Sequence, residues 1–277
     1  MADYKVEHLN PLQRKAKFDE VIKTHNGWVD KLRKNAKTNN YMKMAGKCGD
    51  IIVTGYLQNQ AHALKQQITL EAVGEIKKAF WFPKQVHVYC DDDDLSRGYI
   101  AQKTNTVYEA HIGLGKSSIN YVRAATGADA QYYHDYKYGG PWDGASWRLF
   151  ADTVYESTKG DEQKKKRARL KAAILHEIGH ILWQMNEATD YYMFQQNLEF
   201  VKPMENWIKL AKNVSYSATV NLNEFAAELF SAFWSGERFT TETVELYTAI
   251  GGPFPDTFSL LKEINPGVGS LSKPSLQ

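Results

Sequence analysis

The segment Lys171-Ala-Ala-Ile-Leu-His176-Glu177-Ile-Gly-His180-Ile-Leu-Trp183 carries two patterns at once. Its apolar residues repeat at helical spacing, and its polar ones form His-Glu-x-x-His. Four residues is close to one helical turn, so His176 and His180 project from the same face. Two imidazoles stacked in that way can hold one zinc ion. At about 100° per residue, Ile174, Leu175, Ile178, Ile181 and Leu182 fall on the opposite side. Ala172 and Ala173 flank the histidines and leave room there. The helix therefore has a core face and a chemical face. Glu177 stands beside the latter, within reach of a metal-bound water.

A catalytic zinc needs a third protein ligand and an open position. The metzincin pattern requires Gly at 183 and His at 186, where this chain has Trp183 and Asn186. The third ligand is therefore sought among the carboxylates Glu187, Glu199, Glu205, Glu224 and Glu228. Glu224 and Glu228 lie in Asn221-Leu-Asn-Glu224-Phe-Ala-Ala-Glu228-Leu-Phe-Ser-Ala-Phe-Trp234, a second capped helix. They share a face at i, i+4, beside an apolar stripe of Phe225, Leu229 and Phe233. Burying two carboxylates there is costly unless something pairs them. Glu224 as the ligand and Glu228 as acceptor for an imidazole N–H would do so. The two roles can also be exchanged, and two solvated glutamates are the ordinary reading of such a helix.

These two helices together resemble the gluzincin class of zinc peptidases. Within it they are similar to the catalytic domain of anthrax lethal factor and related bacterial toxin peptidases. The resemblance spans about residues 80 to 265 and is strongest at the two helices. It implies a zincin-like fold with a small sheet before the His-Glu-x-x-His helix. It implies one zinc ion per chain, held by His176, His180 and Glu224, with Glu228 in support and Glu177 as general base. It assigns Tyr216 to the oxyanion, with its register one residue off the family pattern. It further implies that an edge strand pairs with an extended substrate, an edge expected near 106–112. The expected activity is that of a zinc metalloendopeptidase on a protein or peptide substrate. A toxin or effector role follows, with a possible delivery or immunity partner. The alternatives are a non-catalytic zinc-containing binding protein and a cytoplasmic housekeeping peptidase.

The rest of the chain is read as α+β and predominantly helical. Segments 15–24, 28–37 and 61–82 look helical, with Asn26-Gly27 and Thr54-Gly55 as turns between helices. Gln85–Cys90 alternates as a strand does, and 99–102 and 106–112 are further short strands. Residues 127–147 read as an irregular loop. This divides the chain into a helical region at 1–82, separate or part of the same fold, a peptidase domain at 83–265 and a loose tail at 266–277.

The chain has 277 residues, 34 Lys+Arg against 32 Asp+Glu, and 43% hydrophobic residues. That balance excludes a disordered chain and offers no broad field for nucleic acid. No membrane segment is read, and no classical secretory leader, so export is expected by a signal-independent route or not at all. Two cysteines, Cys48 and Cys90, read as free thiols. Several weaker signals are set aside. Gly113-Leu-Gly115-Lys116-Ser117-Ser118 lacks the first glycine of a phosphate loop. Asp91 to Asp94 lacks calcium-loop spacing. Lys164 to Arg167 reads as a solvated basic face. The aromatic run 131–138, with His134, reads as cleft lining or core.

Overall fold

The computed structural model describes residues 11–92, 96–104, 107–115, 160–196, 207–212, 214–215, 217–219, 221–236 and 239–253. The elements, in order, are helix α1 (Pro11–Thr38), strands β1 (Met42–Cys48) and β2 (Ile51–Leu57), and helix α2 (Ala63–Ile76). Strands β3 (Gln85–Cys90), β4 (Arg97–Thr104) and β5 (Val107–Leu114) follow. Helices α3 (Glu162–Gln196), α4 (Trp207–Lys212), α5 (Leu222–Trp234) and α6 (Thr241–Ala249) complete them. The fold is mixed α+β around one five-stranded sheet of order β1-β2-β3-β5-β4. The three central strands are parallel, and β1 and β4 are antiparallel edges.

The alternation read at Gln85–Cys90 gives β3 with those bounds. Val86, Val88 and Cys90 join Val53, Leu57, Ala110, Ile112 and Leu114 on one face. There they pack against Ile68, Ala72 and Ile76 of α2 and Ile174, Ile178 and Ile181 of α3. The apolar face assigned to the His-Glu-x-x-His helix is thus the face buried on the sheet. A second cluster joins Trp183 to Phe225, Leu229, Phe233, Val244 and Tyr247. Trp183 is fully buried and donates its indole N–H to the Ile250 carbonyl at 2.8 Å.

The two turns and the wholly helical reading expected of the first 82 residues are corrected. Asn26-Gly27 is no turn, because α1 runs through it. Val21, Ile22, His25, Val29 and Ala36 form a buried stripe at helical spacing, and Asn26 Oδ1 accepts from the Gln102 amide at 3.0 Å. Thr54-Gly55 is no turn either, but the middle of β2. Segment 42–57 is a hairpin, closed by Gly49 at a φ of 61°. Strand β2 pairs with β3, so one sheet runs across residue 82 and joins the region before it to the region after it.

Strand β5, expected as a substrate-pairing edge, lies between β3 and β4. The edge beside α3 is β4, and its outward backbone groups are engaged. Gln184 of α3 donates to the Gly98 carbonyl at 3.0 Å and accepts from the Ile100 amide at 2.9 Å. His25 of α1 donates to the Ile100 carbonyl at 2.8 Å. With Asn26 on Gln102, side chains of α1 and α3 occupy this stretch where another strand would add.

Among the described residues no helix is long and apolar enough to cross a membrane. Cys48 and Cys90 are free; Cys90 is buried, and burial pushes its thiol up to about 12. The basic run at the start of α3 is partly ion-paired: Arg167 meets Glu71 of α2, and Lys171, just beyond the run, meets Glu75 at 2.7 Å. Gly113 and Leu114 belong to β5, and buried Lys65 donates to the Leu114 and Gly115 carbonyls at 2.9 and 3.2 Å. Residues 116–118, 127–147 and 266–277 lie outside the described residues.

Candidate metal centre

Two helices build the site. α3 keeps its apolar face on the sheet, which turns His176 and His180 toward α5. Helix α5 comes close because small residues face it: a Cβ on Gly179 would sit 3.1 Å from Ala227 Cα and 3.1 Å from Phe230 Cβ. Ser231 of α5 also donates to the Ala172 carbonyl of α3 at 2.8 Å. Helix α5 begins at Asn221, whose side chain accepts from the Glu224 amide at 2.9 Å. That cap is worth about 1 kcal/mol. It places Glu224 in the first turn, where the helix dipole favours a carboxylate.

The imidazole Nε2 atoms of His176 and His180 lie 2.9 Å apart. Glu224 Oε2 is 3.2 Å from His176 Nε2, and Glu224 Oε1 is 3.6 Å from His180 Nε2. Four ligands held about 2.0–2.1 Å from a zinc ion stand roughly 3.3 Å from one another in a tetrahedron. The three separations lie around that value, with Glu224 facing each histidine through a different oxygen. The rings are backed from behind. His176 Nδ1 meets Glu228 Oε1 at 2.8 Å, and His180 Nδ1 donates to Asn223 Oδ1 at 2.6 Å. Such backing turns Nε2 toward a metal and fixes the tautomer.

The ionisable groups of the site perturb one another. Burial opposes a charge on His176, but Glu228 and then Glu224 outweigh it and raise its pKa well above normal. Burial, with His176 beside it, lowers His180 to about 4. Burial alone would raise Glu224; the imidazoles of His180 and His176 hold it at about 2. Burial pushes Glu177 up to about 8, with the charges of His176 and Arg97 opposing that rise. Glu177 Oε2 is buried and has no hydrogen-bond partner among the described residues. An orphaned carboxylate oxygen beside two imidazoles and a second carboxyl fits a bound metal and its water.

Of the five carboxylates offered as third ligand, the structure brings Glu224 to the histidine Nε2 atoms and Glu228 behind His176. Glu199, Glu205 and the side chain of Glu187 lie outside the described residues, as does Tyr216. Three contributors were not read from sequence. Asn223 backs His180, and its position beside Glu224 in the first turn of α5 is the available signal. Gln184, one turn beyond His180, ties α3 to β4. Gly98 lies against α3, where a Cβ would sit 2.3 Å from the Glu177 carbonyl oxygen, so no side chain fits.

Comparison of the chain with protein-family models, with curated proteins and with solved structures gives no match.

Proposed function

We propose that the chain is a zinc-dependent endopeptidase of the gluzincin type, with a zincin-like fold. The observation that carries this reading is the convergence of His176, His180 and Glu224 within 2.9–3.6 Å, beside the Oε2 of buried Glu177, which has no hydrogen-bond partner among the described residues. The likeness of the two helices to lethal-factor-type peptidases supports a toxin or effector role, with a protein or peptide substrate.

When bound, zinc supplies a Lewis acid that lowers the pKa of a water and polarises a substrate carbonyl. His176, His180 and Glu224 would hold the ion. Glu228 and Asn223 keep the two imidazoles turned inward through Nδ1. Glu177 takes a proton from the attacking water at Oε2 and passes it to the departing amine nitrogen. Its carboxyl is buried beside His176, where it can exchange a proton with a water held in the site. Tyr216 is assigned to the oxyanion by donation from its hydroxyl.

A second reading, a zinc-containing binding protein without peptidase activity, is favoured by the engaged edge of β4. One experiment separates the two. Purified full-length chain should contain zinc and cleave members of a peptide library, and cleavage should stop with chelator and return with zinc. Zinc without any cleavage supports the second reading; neither zinc nor cleavage removes both.

A further inference from the structure

The face of the sheet opposite the main core carries a second His/Glu group that the proposed peptidase chemistry does not use. His87 on β3 is in register with His111 on β5, and Glu109 lies two residues before His111 on the same face. Their three donor atoms lie within 4.8 Å of one another. His87 Nε2 and His111 Nε2 stand 3.6 and 3.5 Å from the same oxygen, Glu109 Oε2. Those separations are too long for good N–H···O bonds, and both Nε2 atoms are buried without a hydrogen-bond partner among the described residues. They are close to the roughly 3.3–3.4 Å edge of a tetrahedral zinc site.

The other nitrogen of each ring faces a phenol. Tyr56 Oη lies 3.4 Å from His87 Nδ1, and Tyr89 Oη lies 3.3 Å from His111 Nδ1. A phenol oxygen that accepts from Nδ1–H leaves the Nε2 lone pair free for a metal. Burial keeps both rings neutral, with His87 lowered to about 4, which is the form that ligates. Glu109 stands between two cations: Arg33 donates to its Oε2 at 2.6 Å and Lys103 meets its Oε1 at 3.1 Å. His87 keeps some exposure while His111 has none, so entry is from the His87 side.

We propose that His87, Glu109 and His111 form a second site for a late first-row divalent ion such as zinc, separate from the candidate catalytic centre. Two imidazoles and one carboxylate select such ions over calcium or magnesium. The strands β3 and β5 supply the three ligands, and Arg33 of α1 reaches the same Glu109 oxygen from outside the sheet. Arg33 and Lys103 already offset the charge of Glu109, so they limit the affinity.

The test is a metal titration of the full chain, stripped by chelator and reloaded with Zn2+ or Co2+. Two ions per chain are expected. His87→Gln, at the more exposed edge of the cluster, should reduce this to one ion while zinc-dependent peptide cleavage persists. Lys103→Met should tighten the second ion several-fold and leave the first unchanged. One ion per chain in the wild type, or two ions undisturbed by His87→Gln, overturns the proposal. Failure of the peptidase reading looks different: cleavage is then absent, whereas the ion lost with His87→Gln is still counted.

Discussion

Gly179 of α3 lies so close to Ala227 of α5 that a Cβ added to it would stand 3.1 Å from Ala227 Cα. The glycine inside the His-Glu-x-x-His motif thus sets how near the two metal-facing helices come. Gly179→Val should spread them, lower stability by about 1–3 kcal/mol through overpacking, and weaken zinc binding at least ten-fold. Gly179→Ala, with one methyl to accommodate, should do less of both. Zinc titration beside thermal melting measures this; unchanged zinc affinity in the valine variant would dissociate the helix spacing from the site.

Glu177→Gln keeps the size of the side chain and removes its ability to take a proton. Zinc content should stay near that of the wild type while the turnover of a cleaved peptide falls by about 10²–10⁴. Paired metal analysis and kinetics measure this, and retained turnover would strip Glu177 of its assigned role.

The ligands and their supports should sort by metal affinity. Glu224→Ala should lose the most, well beyond Glu187→Ala or Glu205→Ala. Glu228→Gln and Asn223→Ala should lose about 10–100-fold each, since they act on the imidazoles from behind. Competition with a chromogenic chelator ranks them. Equal losses at Glu224 and Glu205 would mean that the third ligand lies elsewhere.

The reason this constellation was legible lies in covalent spacing. His176 and His180 are four residues apart, as are Glu224 and Glu228, and a helix turns each spacing into a shared face. Asn223 was hidden because Asn next to an N-cap reads as helix punctuation. The strands at 42–57 were hidden for other reasons. β1 is an exposed edge with few β-formers, and β2 is a near-continuous apolar run that periodicity alone does not separate from a helix. The His87–Glu109–His111 group depends on the register between β3 and β5, which no local pattern states. Period-2 alternation does place His87 with Tyr89, and Glu109 with His111.

His25 gives the fold an acid-sensitive contact. It is fully buried, donates from Nδ1 to the Ile100 carbonyl, and burial lowers its pKa to about 4. At pH 7 the ring is neutral whether the chain is folded or not. Below about 6.5 the unfolded chain binds a proton that the folded chain refuses until about pH 4. Stability is therefore lost as the pH falls through that window, by up to about 1.4 kcal/mol per pH unit. Urea unfolding should show the advantage of the wild type over His25→Gln shrinking by about 1.6 kcal/mol between pH 6.5 and 5. A constant advantage would assign the acid response to other groups.

Gln184 holds β4 to α3 through both ends of its amide. Gln184→Leu leaves the Ile100 amide and Gly98 carbonyl unpaired, at a cost of about 1–3 kcal/mol. Hydrogen exchange at Ile100 should quicken markedly while exchange on β3 stays slow. Unchanged protection at Ile100 would show that α1 alone seals this edge.

The most direct measurement is anomalous diffraction at the zinc edge from crystals of the zinc-loaded chain. The account expects a peak about 2.0–2.2 Å from His176 Nε2, His180 Nε2 and a Glu224 carboxylate oxygen, with Glu177 facing its open side. A peak held by the two histidines without Glu224, or no peak between them, would contradict it.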